Sequence, residues 1–420
     1  MLDGPLQDVG ERAFRLTLAG TLVAALGQGL TLPFLVLYLH EVLGASLPLA
    51  GAVLAVAAVA GLAATTVGGP LGDRIGLGRL AALGLVVQAA GTALLATGAG
   101  VGVATLGVLL NNVGNGLVWP ALNGLVAVQV PEARRSRAFA LRFGLLNGGL
   151  GVGGLLSGWV VSLDRPASFH LVYGIDAAST AVFALLIALG LRRTPGFAAP
   201  DRPLHRDDVR IGGYGAVLRD RPFAGYLAVA VALGVFGYAQ MNGPWAAFAV
   251  AEGGTSTRVI GFAFAANTAV IVVLQLAVER RTRAWRRSRL LVAAALLWTL
   301  AWLVTGAAAL PGLRGIPGDV GFVLALAVFG LGETFYSPVG GALPNALASE
   351  HLRGRYNALA GATWPVGGFV GPPLAGLLLG GARPGAWIGV VAVGTAVTAA
   401  ASAVLGRRLP DHVERPAADR

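Results

Sequence analysis

The chain has 420 residues, 55% of them hydrophobic and only 12% charged, and a formal net charge of +11. A soluble globular chain is about 25% charged, so this one lacks the polar supply to cover a water-facing surface, and its mean hydropathy of +0.72 agrees. All 31 basic residues are Arg and there is no Cys, which excludes a Walker A phosphate loop, a lysine Schiff base, a disulfide and any cysteine-held metal.

A bilayer core of ~30 Å asks for about 20 apolar residues in helical form. Cutting the sequence at its charged and Pro/Gly-rich breaks predicts twelve such helices. The first six fall near 14–38, 48–70, 78–99, 101–129, 138–162 and 169–191. Met1–Val9 is polar and the apolar run after it is full length, so it is read as a retained span rather than a cleaved leader. Next comes Arg192–Pro222, rich in Pro, Gly, Asp and Arg, too short for a catalytic domain and read as a cytoplasmic linker. The last six helices are predicted near 223–250, 258–278, 289–310, 319–348, 356–380 and 386–406. The expected organisation is an N-terminal six-helix bundle over 1–191, a linker over 192–222, and a C-terminal six-helix bundle with a short cytoplasmic tail over 223–420.

The arginines test this map. With the N-terminus cytoplasmic, 27 of the 31 fall in inside loops and tails, and only Arg165, Arg258, Arg314 and Arg383 fall outside. That asymmetry is the positive-inside bias. It places both termini in the cytoplasm and the multi-pass chain in the inner (plasma) membrane. It also removes nucleic acid as a partner, because the arginines are spread over short loops beside the spans instead of sharing one face.

The two halves resemble each other. A shift of 218 residues lays Gly114 on Gly332, Pro120 on Pro338, Arg135 on Arg353, Gly149 on Gly367 and Gly153 on Gly371. The fourth and fifth helices thus correspond to the tenth and eleventh, as in parallel repeats around a midplane site. The expected fold class is an all-α membrane protein: twelve transmembrane helices in two pseudo-symmetric six-helix bundles.

Between the second and third helices stands Gly69-Pro70-Leu71-Gly72-Asp73-Arg74-Ile75-Gly76-Leu77-Gly78-Arg79. This resembles the loop signature of the major facilitator superfamily, matching at Gly69, Leu71, Asp73, Arg74 and Gly76, with Arg79 near the place of the usual basic pair. The resemblance implies a cytoplasmic gating latch in which Asp73 meets Arg134, Arg135 or Arg137. Within the superfamily the chain is similar to the twelve-helix drug:proton antiporters. Gly149-Leu150-Gly151-Val152-Gly153-Gly154 resembles their fifth-helix signature, with Leu150 where the proline belongs. The fourth-helix signature keeps only Gly114, its arginine position falling on Leu110. The glycine run also has a packing reading, since small residues let membrane helices approach.

Few titratable groups lie inside the predicted spans. A charge at a helix centre costs ~2.5–3.5 kcal/mol on insertion scales and is retained for pairing or function. Glu333, mid-helix in the tenth segment, and Asp176 in the sixth are the candidate proton carriers; both also admit a purely structural, hydrogen-bonded role. Arg142, a basic candidate, is placed at the cytoplasmic end of the fifth segment. The resemblance puts Gln28, Asn112, Asn115, Gln240, Asn242 and Asn267 on cavity-lining helices. Trp119 and Tyr336, beside Pro120 and Pro338, are the expected aromatic walls.

The function expected is secondary active transport: proton-coupled efflux of small hydrophobic or amphiphilic compounds by alternating access. Import of a polar nutrient is the alternative, and a non-transporting receptor or enzyme the distant one. The partners expected are a small-molecule substrate, protons and the lipid bilayer, acting on a monomer, with neither cofactor nor metal.

Overall fold

The structure is a computed structural model and describes residues 5–198, 214–348, 352–381 and 383–415. Among these residues, twelve helices are long and apolar enough to cross a membrane. They are α1 (Glu11–Val42), α2 (Leu47–Ile75), α3 (Leu77–Ala96), α4 (Val101–Gln129), α5 (Leu141–Val160) and α6 (Ala167–Gly190), then α7 (Arg221–Met241), α8 (Thr257–Thr282), α9 (Arg287–Ala308), α10 (Ile316–Leu347), α11 (Arg355–Leu379) and α12 (Gly385–Gly406). Their outer faces carry large apolar side chains with no protein over them, Val273 at 70% and Val393 at 62% exposure among them. In water such faces would drive aggregation; in a bilayer they are the solvent-facing surface.

Two departures from the predicted helices have local causes. The predicted helix 223–250 is broken. Asn242 leaves helical geometry (ψ 78°), Gly243 takes φ 110°, and Pro244 restarts a separate helix, Pro244–Ala251, at its first position. Only glycine adopts that φ cheaply, and proline suits the first turn because it has no N–H to leave unpaired. The fifth helix begins earlier than predicted: the apolar window α5 continues a helix that starts at Glu132, N-capped by Pro131.

The chain divides into two compact units, Met1–Ala45 with Val56–His205, and Ser46–Ala55 with Arg206–Arg420. Residues 199–213 of the predicted linker lie outside the described residues. In the first unit α1 packs on α5 and α6, and α3 on α4 and α6; in the second, α7 packs on α11 and α12, and α9 on α10 and α12. The same neighbours recur in the same order, as a sequence repeat requires.

Glycines set the closest approaches. A Cβ on Gly114 of α4 would fall 2.5 Å from the Gly84 carbonyl of α3. On Gly153 it would fall 2.3 Å from the Leu26 carbonyl of α1, and on Gly371 it would fall 2.4 Å from Ala239 of α7. Gly149 likewise presses on Ala25, and Gly367 on Gly234. The glycine run of α5 is therefore a packing surface against α1, and its repeat partners do the same work against α7. The first unit's core gathers Leu80 and Leu85 of α3, Val118, Leu122 and Leu125 of α4, and Phe183 and Ile187 of α6.

Candidate functional site

In the second unit, Glu333 lies mid-helix on α10, partly buried. Asn267 of α8 donates its Nδ2 to Glu333 Oε2 at 2.7 Å and shares that amide with the Leu326 carbonyl at 3.3 Å. Tyr238 of α7 is a second hydrogen-bond partner of the same carboxylate. The two helices meet closely because Gly330 sits on the Asn267 backbone, where a Cβ would be 2.6 Å from its carbonyl oxygen.

Through Tyr238 the carboxylate adjoins an aromatic cluster. Tyr238 has ring centroids of Trp298 at 4.9 Å, Trp364 at 4.4 Å and Tyr336 at 6.1 Å. Trp298 is fixed by stacking on Phe329 at 4.6 Å and by donating Nε1 to the Phe329 carbonyl at 3.0 Å. Tyr336 is a hydrogen-bond partner of Tyr226, whose hydroxyl also donates to the Gly340 carbonyl at 2.8 Å. A small crevice lined by Leu233, Gly234, Tyr238, Tyr336, Thr363 and Trp364 opens beside the cluster. An acid held this way has neutral hydrogen-bond partners in either charge state and, among the described residues, no ion pair with an arginine to lock it ionised. It can exchange a proton without breaking an ion pair.

In the first unit Asp176 of α6 is 5% exposed. Thr31 of α1 donates to its Oδ2 at 2.8 Å, and Thr180 is a further partner one turn along. Gly27 lets α1 come this close: a Cβ there would be 2.9 Å from the Asp176 Cα. Nearby, the Tyr173 hydroxyl is buried with no hydrogen-bond partner, its ring 4.9 Å from that of Tyr38.

The structure separates the other predicted residues. Gln240 is fully buried and saturated: Nε2 donates to the carbonyls of Val235 (2.8 Å) and Gly371 (3.1 Å), and Oε1 accepts Trp387 Nε1 at 2.7 Å. It ties α7 to α11 and α12, and that correction removes it from any substrate surface. Asn242 belongs to the break after α7. Asn112 spends its amide on the Val108 carbonyl of its own helix at 3.0 Å. Asn115, the repeat partner of Glu333, is exposed, and Gln28 is partly buried.

Among the described residues the predicted latch forms no ion pair. Asp73, Arg74, Arg79 and Arg134 are exposed, and among the described residues no ion pair joins Asp73 to Arg134 or Arg135. Arg135 instead donates Nε to the Val130 carbonyl at 3.2 Å. The Arg137 side chain lies outside the described set, and a Cβ on Gly69 would meet open space. What the motif does hold is the chain leaving α6. Gly78 N–H donates to the Gly196 carbonyl at 3.0 Å and Arg79 N–H to that of Phe197 at 3.1 Å, so this segment caps the start of α3.

Arg142 is the second residue of the fifth apolar span, Leu141–Val160, and its side chain is enclosed. Arg142 is only 6% exposed. It donates Nη1 to Asn123 Oδ1 at 2.6 Å and lies over the Trp119 ring, 5.2 Å from its centroid. The helix starts at Glu132, before the span, so Arg142 lies in the first turn of the apolar part.

Twelve apolar helices in two units with repeated packing, and lone carboxylates held within the spans, define a polytopic membrane transporter rather than an enzyme. The family model of the Major Facilitator Superfamily matches residues 17–248 and 235–420, and the chain belongs to that superfamily. It is 26% identical over 365 residues to YhjO of Bacillus subtilis, an uncharacterized MFS-type transporter, covering 87% of this chain and 86% of that one. Over 170 residues it is 24% identical to the quinolone resistance protein NorA of Staphylococcus aureus, covering 40% of this chain and 42% of that protein. Among solved structures, a POT family transporter in complex with a thioalcohol-conjugated peptide superposes with a TM-score of 0.79 over 94% of this chain and 96% of the other. At 14% identity that likeness speaks to the fold.

Proposed function

We propose that the chain is a proton-coupled secondary transporter that exports small hydrophobic or amphiphilic compounds by alternating access, as a monomer in the plasma membrane with both termini cytoplasmic. The observation that carries this reading is Glu333, a membrane-embedded carboxylate bonded only to neutral Asn267 and Tyr238 and adjoining an aromatic cluster through Tyr238. Asp176, enclosed by threonines, is the second candidate carrier. Tyr336 and Trp364 supply apolar surface beside Glu333. Export is supported by the partial likeness to a resistance protein.

A second reading, uptake of a polar molecule on the same fold, is favoured by the buried polar pair Arg142–Asn123. Expression in an efflux-deficient bacterium challenged with a panel of toxic amphiphiles tests the direction. Raised resistance to at least one compound is the expected result. Sensitisation, or no change across the panel, would defeat export and leave uptake standing.

A further inference from the structure

Arg142 is the only arginine among the described residues that is buried. A guanidinium stays charged at any physiological pH and offers five N–H donors in a rigid fork. Here one nitrogen, Nη1, is satisfied by the neutral amide oxygen of Asn123, while Nε is buried without a hydrogen-bond partner. Among the described residues no carboxylate forms an ion pair with it. The Trp119 ring attracts the cation through its π face, but it neither cancels the charge nor accepts from Nε. A buried charge in the first turn of a span that lacks both a counter-ion and full hydrogen bonding is costly to keep. Such a charge is accounted for when a ligand completes it.

The completing group follows from the donors. A planar guanidinium whose Nε–H is unmet matches the geometry of an oxyanion. Trp119 adds an aromatic surface that remains 48% exposed beside the cation, suited to the flat or apolar body of the same ligand. Asn123 holds the guanidinium in place by a 2.6 Å bond from the neighbouring helix. All three side chains belong to α4 and the helix of α5, within the first unit.

We propose that Arg142, oriented by Asn123 and flanked by Trp119, is an anion-recognition site, and that the transported substrates include carboxylates or phosphonates with an aromatic or apolar body. This rests on the transporter reading above and names the class of its cargo.

The test is isothermal titration calorimetry on the full chain in phosphatidylcholine nanodiscs, with benzoate, phenylacetate, naphthoate and phenylphosphonate as probes and benzamide and benzylamine as uncharged and cationic controls. Saturable binding of at least one anion and of neither control is expected. Arg142→Gln should weaken that binding about 10- to 100-fold, and Arg142→Lys should recover part of it. Trp119→Ala, at a half-exposed position where folding is not at stake, should weaken it several-fold. No binding by any of the four anions, or equal binding to wild type and Arg142→Gln, would overturn the site. Nanodiscs containing phosphatidylglycerol separate a lipid headgroup from a cargo, and abolition of anion binding by that lipid would overturn the cargo assignment. Undiminished pH-driven flux in Glu333→Gln, with anion binding still lost in Arg142→Gln, would fail the coupling reading while this site stands.

Discussion

Asn267 Nδ2 reaches Glu333 Oε2 at 2.7 Å across the contact between α8 and α10, a contact possible only because Gly330 leaves the Asn267 backbone room. The amide divides its donors between that carboxylate and the Leu326 carbonyl, so Asn267 positions the acid without neutralising it.

Replacing Glu333 with Gln keeps the shape and the hydrogen-bonding neighbours but removes the exchangeable proton. The expected outcome in proteoliposomes is loss of flux driven by a pH gradient, with substrate counterflow at zero gradient retained. Asn267→Ala should slow pH-driven flux roughly tenfold, the scale of a lost hydrogen bond to a charged group, because the carboxylate remains but is no longer oriented. Undiminished pH-driven flux in Glu333→Gln would exclude this residue as the carrier.

The chain leaving α12 folds back in the same manner as the chain leaving α6. Glu414, only 2% exposed, accepts from the Ser288 hydroxyl and from the Ser288 N–H, the latter at 3.3 Å, capping the start of α9. In the first unit the carbonyls of Gly196 and Phe197 cap α3, which the packing makes the counterpart of α9. Glu414→Ala should therefore destabilise the second unit by about 2–3 kcal/mol, read as a drop of several degrees in apparent melting temperature in detergent. Glu414→Gln, which keeps an acceptor, should lose less. A melting temperature unchanged by the alanine variant would show that the tail is not part of the fold's stability.

The spans were legible because a bilayer imposes one length and one polarity on every helix, and those constraints are written residue by residue. The break after α7 was missed: Asn242-Gly243-Pro244 is a turn signal, but the surrounding apolar run masked it. Gln240 was not legible. An amide that ties three helices together and an amide that lines a cavity look alike until the partners, Gly371 and Trp387, are in place. What the sequence did not show of Arg142 was its burial: it stands second in the apolar span Leu141–Val160, and the helix extends back to Glu132, but the Asn123 and Trp119 that enclose it come from α4. Asp73 shows the remaining limit, because a motif names a residue but not the conformation in which it finds its partner.

Gly76 has φ 97°, and a Cβ there would lie 2.3 Å from the Ala198 carbonyl carbon, while one on Gly78 would lie 2.3 Å from the Phe197 ring. Gly76→Ala combines a left-handed strain of about 1–2 kcal/mol with a backbone clash, and it should release the segment after α6. Arg192 and Arg193 in that segment are exposed and are trypsin sites. Since proteolysis follows the population of the opened form, cleavage there should accelerate about tenfold in Gly76→Ala. Equal rates in variant and wild type would mean that the motif's glycines do not hold this segment.

Asp73 separates stability from function. It is exposed, and among the described residues it makes no ion pair, so Asp73→Asn should leave the apparent melting temperature unchanged, as removing an exposed unpaired charge costs little. The latch reading nevertheless gives the carboxylate a partner during the transport cycle, with Arg134, Arg135 and Arg137, in the helix that begins at Glu132, as the candidates. Asp73→Asn should then slow turnover several-fold in the same proteoliposome assay, with the substrate concentration for half-maximal flux little altered. A charge-restoring partner exchange, Asp73→Arg combined with Arg134→Asp or Arg135→Asp, should recover part of the rate. If Asp73→Asn transports at the wild-type rate, the motif's charges serve only to fix topology, and the glycines that seat the chain after α6 are what the loop is for.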